Sequence, residues 1–213
     1  LRERAGLGVS DPFAASEARL AGRDYDLILA LSRSGTTTEI VTLLQEAPST
    51  ARKIVLVADA DSPVAELADH VISLPFADES SVVQTRFAST AIALARAAYG
   101  WDLAASIDDA RSVLADEVPQ ALVDTEQLTC LGRDWTLGIA HEAALKMREA
   151  SQSWTESYPA MEYRHGPMSI STAGRAVWMF GQAPGGLERD VRGTGATFVQ
   201  HDRDPLAELV LAH

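Results

Sequence analysis

From Ser32 to Thr38 the chain reads Ser-Arg-Ser-Gly-Thr-Thr-Thr, five hydroxyl side chains and a glycine within seven residues. An apolar run, Leu27–Leu31, leads into this segment, and a helix-like stretch over Thr37–Gln45 leaves it. A helix that starts there presents unpaired N–H groups and about half a positive charge, which together attract anions. Ser32, Ser34 and Thr37 add hydroxyl donors without adding charge, and Gly35 lets the backbone come close to a ligand. Arg33 is counted with them as a binding residue. The chemistry this implies is capture of a phosphate. The competing account is that these residues only cap a helix and form a turn. A Walker-type nucleotide loop is disfavoured because no Gly-Lys-Ser/Thr follows, and a dinucleotide glycine fingerprint is absent as well.

A second cluster, His141-Glu-Ala-Ala-Leu-Lys-Met-Arg-Glu149, is followed by Glu162-Tyr-Arg-His-Gly-Pro167. On a helix, Lys146 shares a face with Glu149 three residues on and with Glu142 four residues back. A chain of surface ion pairs would account for that spacing. Of the 18 basic residues, however, only Lys53 and Lys146 are lysines, so arginine was the default where charge alone was needed. An amine can lose its proton and condense with a carbonyl, which a guanidinium cannot do. Glu149 lies where this helix runs into Ser151–Trp154, so partial burial would suit it to general-base duty. His165, in a turn before Gly166-Pro167, is a candidate proton shuttle. His70, His201 and His213 lack metal-ligand spacing, and Asp59 and Asp61 read as turn residues; neither a metal nor a cofactor is called for.

The elements that must position these groups alternate. Leu27–Leu31, Ile54–Val57 and Val71–Leu74 read as fully buried parallel strands, with helices over Thr37–Gln45, Pro63–Asp69 (Ser62 as N-cap) and the long stretch Val82–Tyr99. Ile107–Val123 is amphipathic and bridges to a second unit. That unit has a strand at Leu128–Leu131, a turn Gly132–Trp135, a helix over Thr136–Ala150 and strands at Ala176–Phe180 and Ala196–Gln200. The alternation predicts a doubly wound α/β sheet, and the strand–turn–helix following Leu31 and again Leu131 is a weak internal repeat. Leu1–Arg4 and Leu206–His213 both look helical, the former like the middle of a helix, so the chain reads as part of a longer one.

A net charge of −12 argues against a nucleic-acid surface, and means that an anionic ligand needs a local device rather than an overall field. No apolar run approaches the ~20 residues of a membrane span. The single cysteine, Cys130, sits in an apolar strand and suits a core position in a reducing cytoplasm.

The two motifs together resemble the sugar-isomerase (SIS) family, which includes the isomerase half of glucosamine-6-phosphate synthase and the tagatose-6-phosphate ketose/aldose isomerase-like proteins. Ser32–Thr37 is similar to the family's phosphate loop, Asp134–Glu149 with Glu156–Pro167 to its catalytic helix and His-Gly-Pro turn, and Glu79–Phe87 to the loop lining the sugar. The resemblance implies two flavodoxin-like SIS subdomains, over residues 1–105 and 106–213. Each would be incomplete, at the N-terminal side of the first and the C-terminal side of the second. It implies phosphate binding by Ser32, Arg33, Ser34, Gly35 and Thr37, with Val82 at the sugar. It further implies proton transfer by Glu149, Lys146 at the open-chain carbonyl, and His165 assisting ring opening from the neighbouring subunit of a homodimer. The expected activity is aldose–ketose isomerisation, or deamination, of a hexose(amine) 6-phosphate. The alternative is a non-catalytic phosphosugar-binding regulatory module, which would need the phosphate turn but not Glu149, Lys146 and His165.

Overall fold

The computed structural model describes residues 1–213 as an α/β chain with two parallel sheets. The chain divides into two compact units, Arg2–Ala91 and Ile92–His213.

In the first unit β1 (Leu27–Ser32), β2 (Arg52–Val57) and β3 (His70–Ser73) pair in parallel in that order. The crossovers are α1 (Thr38–Glu46) and the short α2 (Pro63–Glu66), which has Ser62 as N-cap and proline at its first position. Both helices pack on one face, where Ile40, Leu44, Val64 and Ala65 meet Ala30, Val55 and Val57. The strands are where the sequence puts them, but they are not all fully buried. Two of the three are sheet edges, and alternate β1 residues project from the face opposite the helices. Leu27, Leu29 and Leu31 stay 39%, 46% and 49% exposed, and all four residues of β3 are exposed. A three-stranded sheet covered on one face leaves the residues of its other face in contact with water. The helix α3 (Arg86–Ala98) follows β3 and is shorter than the sequence suggests, because Ser80–Val83 form bends. Residues 2–6 form a turn, and the chain start is not helical.

The second unit has four parallel strands in the order β5-β4-β6-β7: β4 (Gln127–Gly132), β5 (Trp154–Pro159), β6 (Arg175–Phe180) and β7 (Thr197–Val199). The amphipathic stretch before it is two helices, α4 (Ala104–Val113) and α5 (Gln120–Val123), parted by a segment ending in Pro119. Next come α6 (Thr136–Ser151), α7 (Leu187–Gly193) and α8 (Pro205–Ala212). This sheet is covered on both faces. Leu128, Cys130, Trp178 and Phe180 pack with Ile139, Ala143 and Leu209 on one side. Leu131, Val177 and Met179 pack with Tyr163, Leu187 and Val191 on the other. Every residue of β4 is therefore buried. Burial pushes the Cys130 thiol up to about 12, as an inert core position requires. No apolar run in the sequence marks the strand β5. It is an edge strand with only Thr155 buried, so it lacks the apolar run that marks β4 and β6.

Gly132 makes the tight exit from β4 possible: a Cβ there would run into the backbone of Thr136 and Leu137 at the start of α6. Gln152, left-handed at φ 56°, ends the same helix. No helix is long and apolar enough to cross a membrane.

Candidate active site

In the first unit the hydroxyl-rich turn lies at the carboxyl end of β1, the edge at which parallel α/β sheets take ligands. Ser32, Ser34, Gly35 and Thr37 are brought together there. The Ser32 hydroxyl accepts from the Gly35 N–H (3.1 Å) and lies 3.0 Å from the Thr37 hydroxyl. The Ser34 oxygen accepts from the Thr36 N–H (3.3 Å) and hydroxyl (2.9 Å). Thr37 is the N-cap residue of α1, yet its side chain makes no capping bond, so the helix start keeps its amides available for an anion. Gly35 has φ +65°, and a Cβ there would collide with the side chain of Ser62.

Arg33 is engaged elsewhere. Its Nη1 donates to Asp78 Oδ1 (2.9 Å) and to the Glu79 carbonyl (2.7 Å). With the Gln84 amide oxygen turned toward the guanidinium, Nε (2.9 Å) and Nη2 (3.2 Å) donate to it. The Arg33 guanidinium, and next the Glu79 N–H, hold the Asp78 carboxyl below its ordinary range. Val82, at the tip of the same loop, is 96% exposed.

In the second unit α6 places Lys146 on its buried stripe with Ile139 and Ala143. The Lys146 ammonium donates to Glu149 Oε2 at 2.7 Å and lies 3.8 Å from Glu142 Oε1. Lys146 is 9% exposed, whereas the Glu149 side chain that holds it is 37% exposed, so the amine is buried but the carboxylate reaches water instead of being partly buried as its place at the helix end suggests. Burial pushes the Glu142 carboxyl up; Lys146 pulls against that rise and the charge of Glu149 adds to it. Glu142 is the functional candidate the sequence reading left as a mere ion-pair partner. Its signal was there, four residues before one of only two lysines. Nearby, His141 Nδ1 lies 2.7 Å from the Ser157 hydroxyl.

His165 is not brought to this cluster within the unit. It ends a short 3₁₀ turn, Glu162–His165, just beyond the carboxyl end of β5. From Thr136 at the carboxyl edge to Glu149 the helix descends about 20 Å at ~1.5 Å per residue. The Thr155 hydroxyl donating to the Ala144 carbonyl (2.6 Å) confirms that this end of α6 lies beside the start of β5. Lys146 and Glu149 therefore stand toward one end of the unit and His165 at the other. No group of three or more His, Cys, Asp or Glu is arranged to hold a metal ion.

The known proteins that this chain is similar to carry names of phosphosugar enzymes. No family model matches the chain. By sequence it is similar to the glutamine–fructose-6-phosphate aminotransferase (isomerizing) of Sulfurisphaera tokodaii, 26% identical over 187 residues, covering 80% of this chain and 32% of that protein. The chain thus spans about a third of the length of the curated relatives it matches. Among solved structures it is similar to a Silicibacter pomeroyi DSS-3 protein assigned as a phosphosugar isomerase: TM-score 0.78, 28% identity, covering 99% of this chain and 77% of that one. It shares its fold with glucosamine-6-phosphate deaminase of Thermotoga maritima: TM-score 0.70, 22% identity, covering 99% and 72%. These relatives are of the sugar-isomerase (SIS) family, and the chain resembles that family along most of its length.

Proposed function

We propose that the chain is the sugar-handling part of a phosphosugar enzyme that isomerises a hexose 6-phosphate or deaminates a hexosamine 6-phosphate. The observation that carries this is the buried amine of Lys146, held 2.7 Å from Glu149 and flanked by Glu142. A phosphosugar sensor would need the turn of the first unit, but has no use for a buried amine paired with two carboxylates.

In this reading Ser32, Ser34, Thr37 and the amides beginning α1 take the phosphate, and Val82 meets the sugar. Glu149 removes the acidic proton beside the open-chain carbonyl and returns it to the neighbouring carbon, so the isomerisation is a proton shift without net redox change. With a 2-amino sugar the same shift gives an imine, and water then releases ammonia and leaves the ketose. Lys146 polarises or engages the carbonyl oxygen, with Glu142 and Glu149 as its proton partners. His165 stands at the other end of its own unit, which supports its serving the sugar bound by a second copy, in a homodimer with a shared site.

Glu149→Gln is expected to abolish turnover, assayed as ketose and ammonia from a panel of hexose and hexosamine 6-phosphates, while phosphosugar binding stays nearly intact. Unchanged turnover would remove Glu149 from the mechanism.

A further inference from the structure

The segment Asp78–Thr85 has few contacts of its own, yet both its ends are tied down. At the far end the Glu79 carboxylate turns to the start of α3, where Oε2 accepts from the Phe87 N–H (3.0 Å) and Oε1 from the Thr85 N–H (3.2 Å) and hydroxyl (3.3 Å). Burial alone would raise the Glu79 carboxyl, but the N–H groups of Phe87, Arg86 and Thr85 overcome it and hold it low. At the near end the fastener is Arg33. Its fork reaches three points of the segment, the Asp78 carboxylate, the Glu79 carbonyl and the Gln84 amide. Its own carbonyl accepts from the Ala58 N–H (3.0 Å), which pins the turn to the end of β2. Between these ties the tip Ser80–Val82 projects freely, with Val82 at 96% exposure.

A planar guanidinium spreads its donors over three nitrogens and so reaches three separated acceptors on one segment; an ammonium, with its three donors on one nitrogen, does not span them. With its donors spent in this way, and with Asp78 supplying the countercharge, the guanidinium adds little net charge to the turn. Phosphate affinity there is left to hydroxyls and amides. From this geometry we infer that Arg33 is a positioning residue: it holds the Asp78–Gln84 loop over the phosphate turn, so that the loop is ordered before a phosphosugar arrives. An unfastened loop would have to be ordered at the moment of binding, at the expense of affinity for the sugar but not for phosphate alone. For its ligand the inference rests on the phosphosugar reading; for the loop it does not.

Two measurements on the full chain test it. Amide hydrogen exchange over residues 80–85, without ligand, should quicken about tenfold or more in Arg33→Met, and to a lesser degree in Gln84→Ala. In titrations, Arg33→Met should raise the dissociation constant of a hexosamine 6-phosphate about tenfold while that of inorganic phosphate changes less than about twofold. Arg33→Lys should not rescue either property. Unchanged exchange in Arg33→Met overturns the inference; equal loss of inorganic phosphate and phosphosugar overturns it too and makes Arg33 a direct phosphate ligand. Should Arg33→Met fail to fold, Gln84→Ala and Asp78→Asn carry the same two readouts. If the wild-type chain binds neither anion, the phosphosugar reading fails, and the exchange arm still decides the role of Arg33.

Discussion

At the scale of single residues, Gly35 is the position on which the anion turn depends most directly. Its φ of +65° disfavours any L side chain, and the space where a Cβ would stand is taken by Ser62. Ser62 is itself held, because its hydroxyl donates to the Asp59 carbonyl (2.8 Å), and the Gly35 carbonyl in turn accepts from the Val64 N–H (3.0 Å). Gly35→Ala is therefore expected to cost about 1–3 kcal/mol in chemical denaturation, from backbone strain and from displacing Ser62. Adding Ser62→Gly should recover the collision part and leave the φ strain. If Gly35→Ala is as stable as wild type and binds phosphate as well, the turn does not need this conformation.

At the scale of elements, one charge pair ties the start of α8 to α3 in the second unit. Arg96, near the end of α3, binds both oxygens of Asp204 at 2.7 and 2.9 Å, and its guanidinium lies 5.2 and 5.1 Å from the rings of Trp101 and Trp135. Asp204 also caps α8 by accepting from the Leu206 N–H at 2.9 Å. Burial pushes the Asp204 carboxyl up, but Arg96 and the Leu206 N–H outweigh it and leave the group below its ordinary value. A carboxyl held lower in the folded than in the unfolded chain adds stability above the unfolded value of about 4, and that stability fades as pH falls through the folded value. Arg96→Met, which strands a half-buried carboxylate, is expected to cost about 3–5 kcal/mol at neutral pH. Asp204→Asn should lose part of the steepening of unfolding below pH ~4 that the wild type shows in acid titrations followed by circular dichroism. An identical acid profile for the two would show that this pair does not govern the docking of α8. A second buried carboxylate on the same helix, Glu208, accepts from Trp178 Nε1 (3.1 Å) and lies 2.7 Å from His201 Nδ1, so α8 is held by polar ties as well as by Leu206 and Leu209.

For the whole molecule, the proposal of a shared site carries its own test. Glu149→Gln and His165→Ala should each be inactive alone. If the two residues serve one sugar from different copies, mixing equal amounts under subunit exchange should restore about a quarter of wild-type turnover, since half the dimers are mixed and each of these holds one intact site. A mixture that stays inactive while light scattering reports exchanged dimers would place both residues in the same copy's site. The places of six of the seven strands and of most helices were legible in the sequence, because these strands are short branched runs, buried or not, and because Ser62-Pro63 and the Gly132 turn punctuate them. The strand β5 was not, since an edge strand with one buried residue leaves no apolar run to read. The chemical inventory was legible too: the hydroxyls around Gly35, and one of only two lysines in a chain with 16 arginines. Local order suffices for these, because a turn, a cap and a helix face are set by neighbours a few residues away. What folding alone decided was which distant groups meet, which stay apart and how much water each keeps: Arg33 spent on Asp78, Glu79 and Gln84 rather than left facing the turn, the carboxyl of Glu142 raised by burial, and His165 set at the opposite end of its unit from Lys146. No spacing along the chain encodes these, because each depends on which groups packing brings together and how much water it removes.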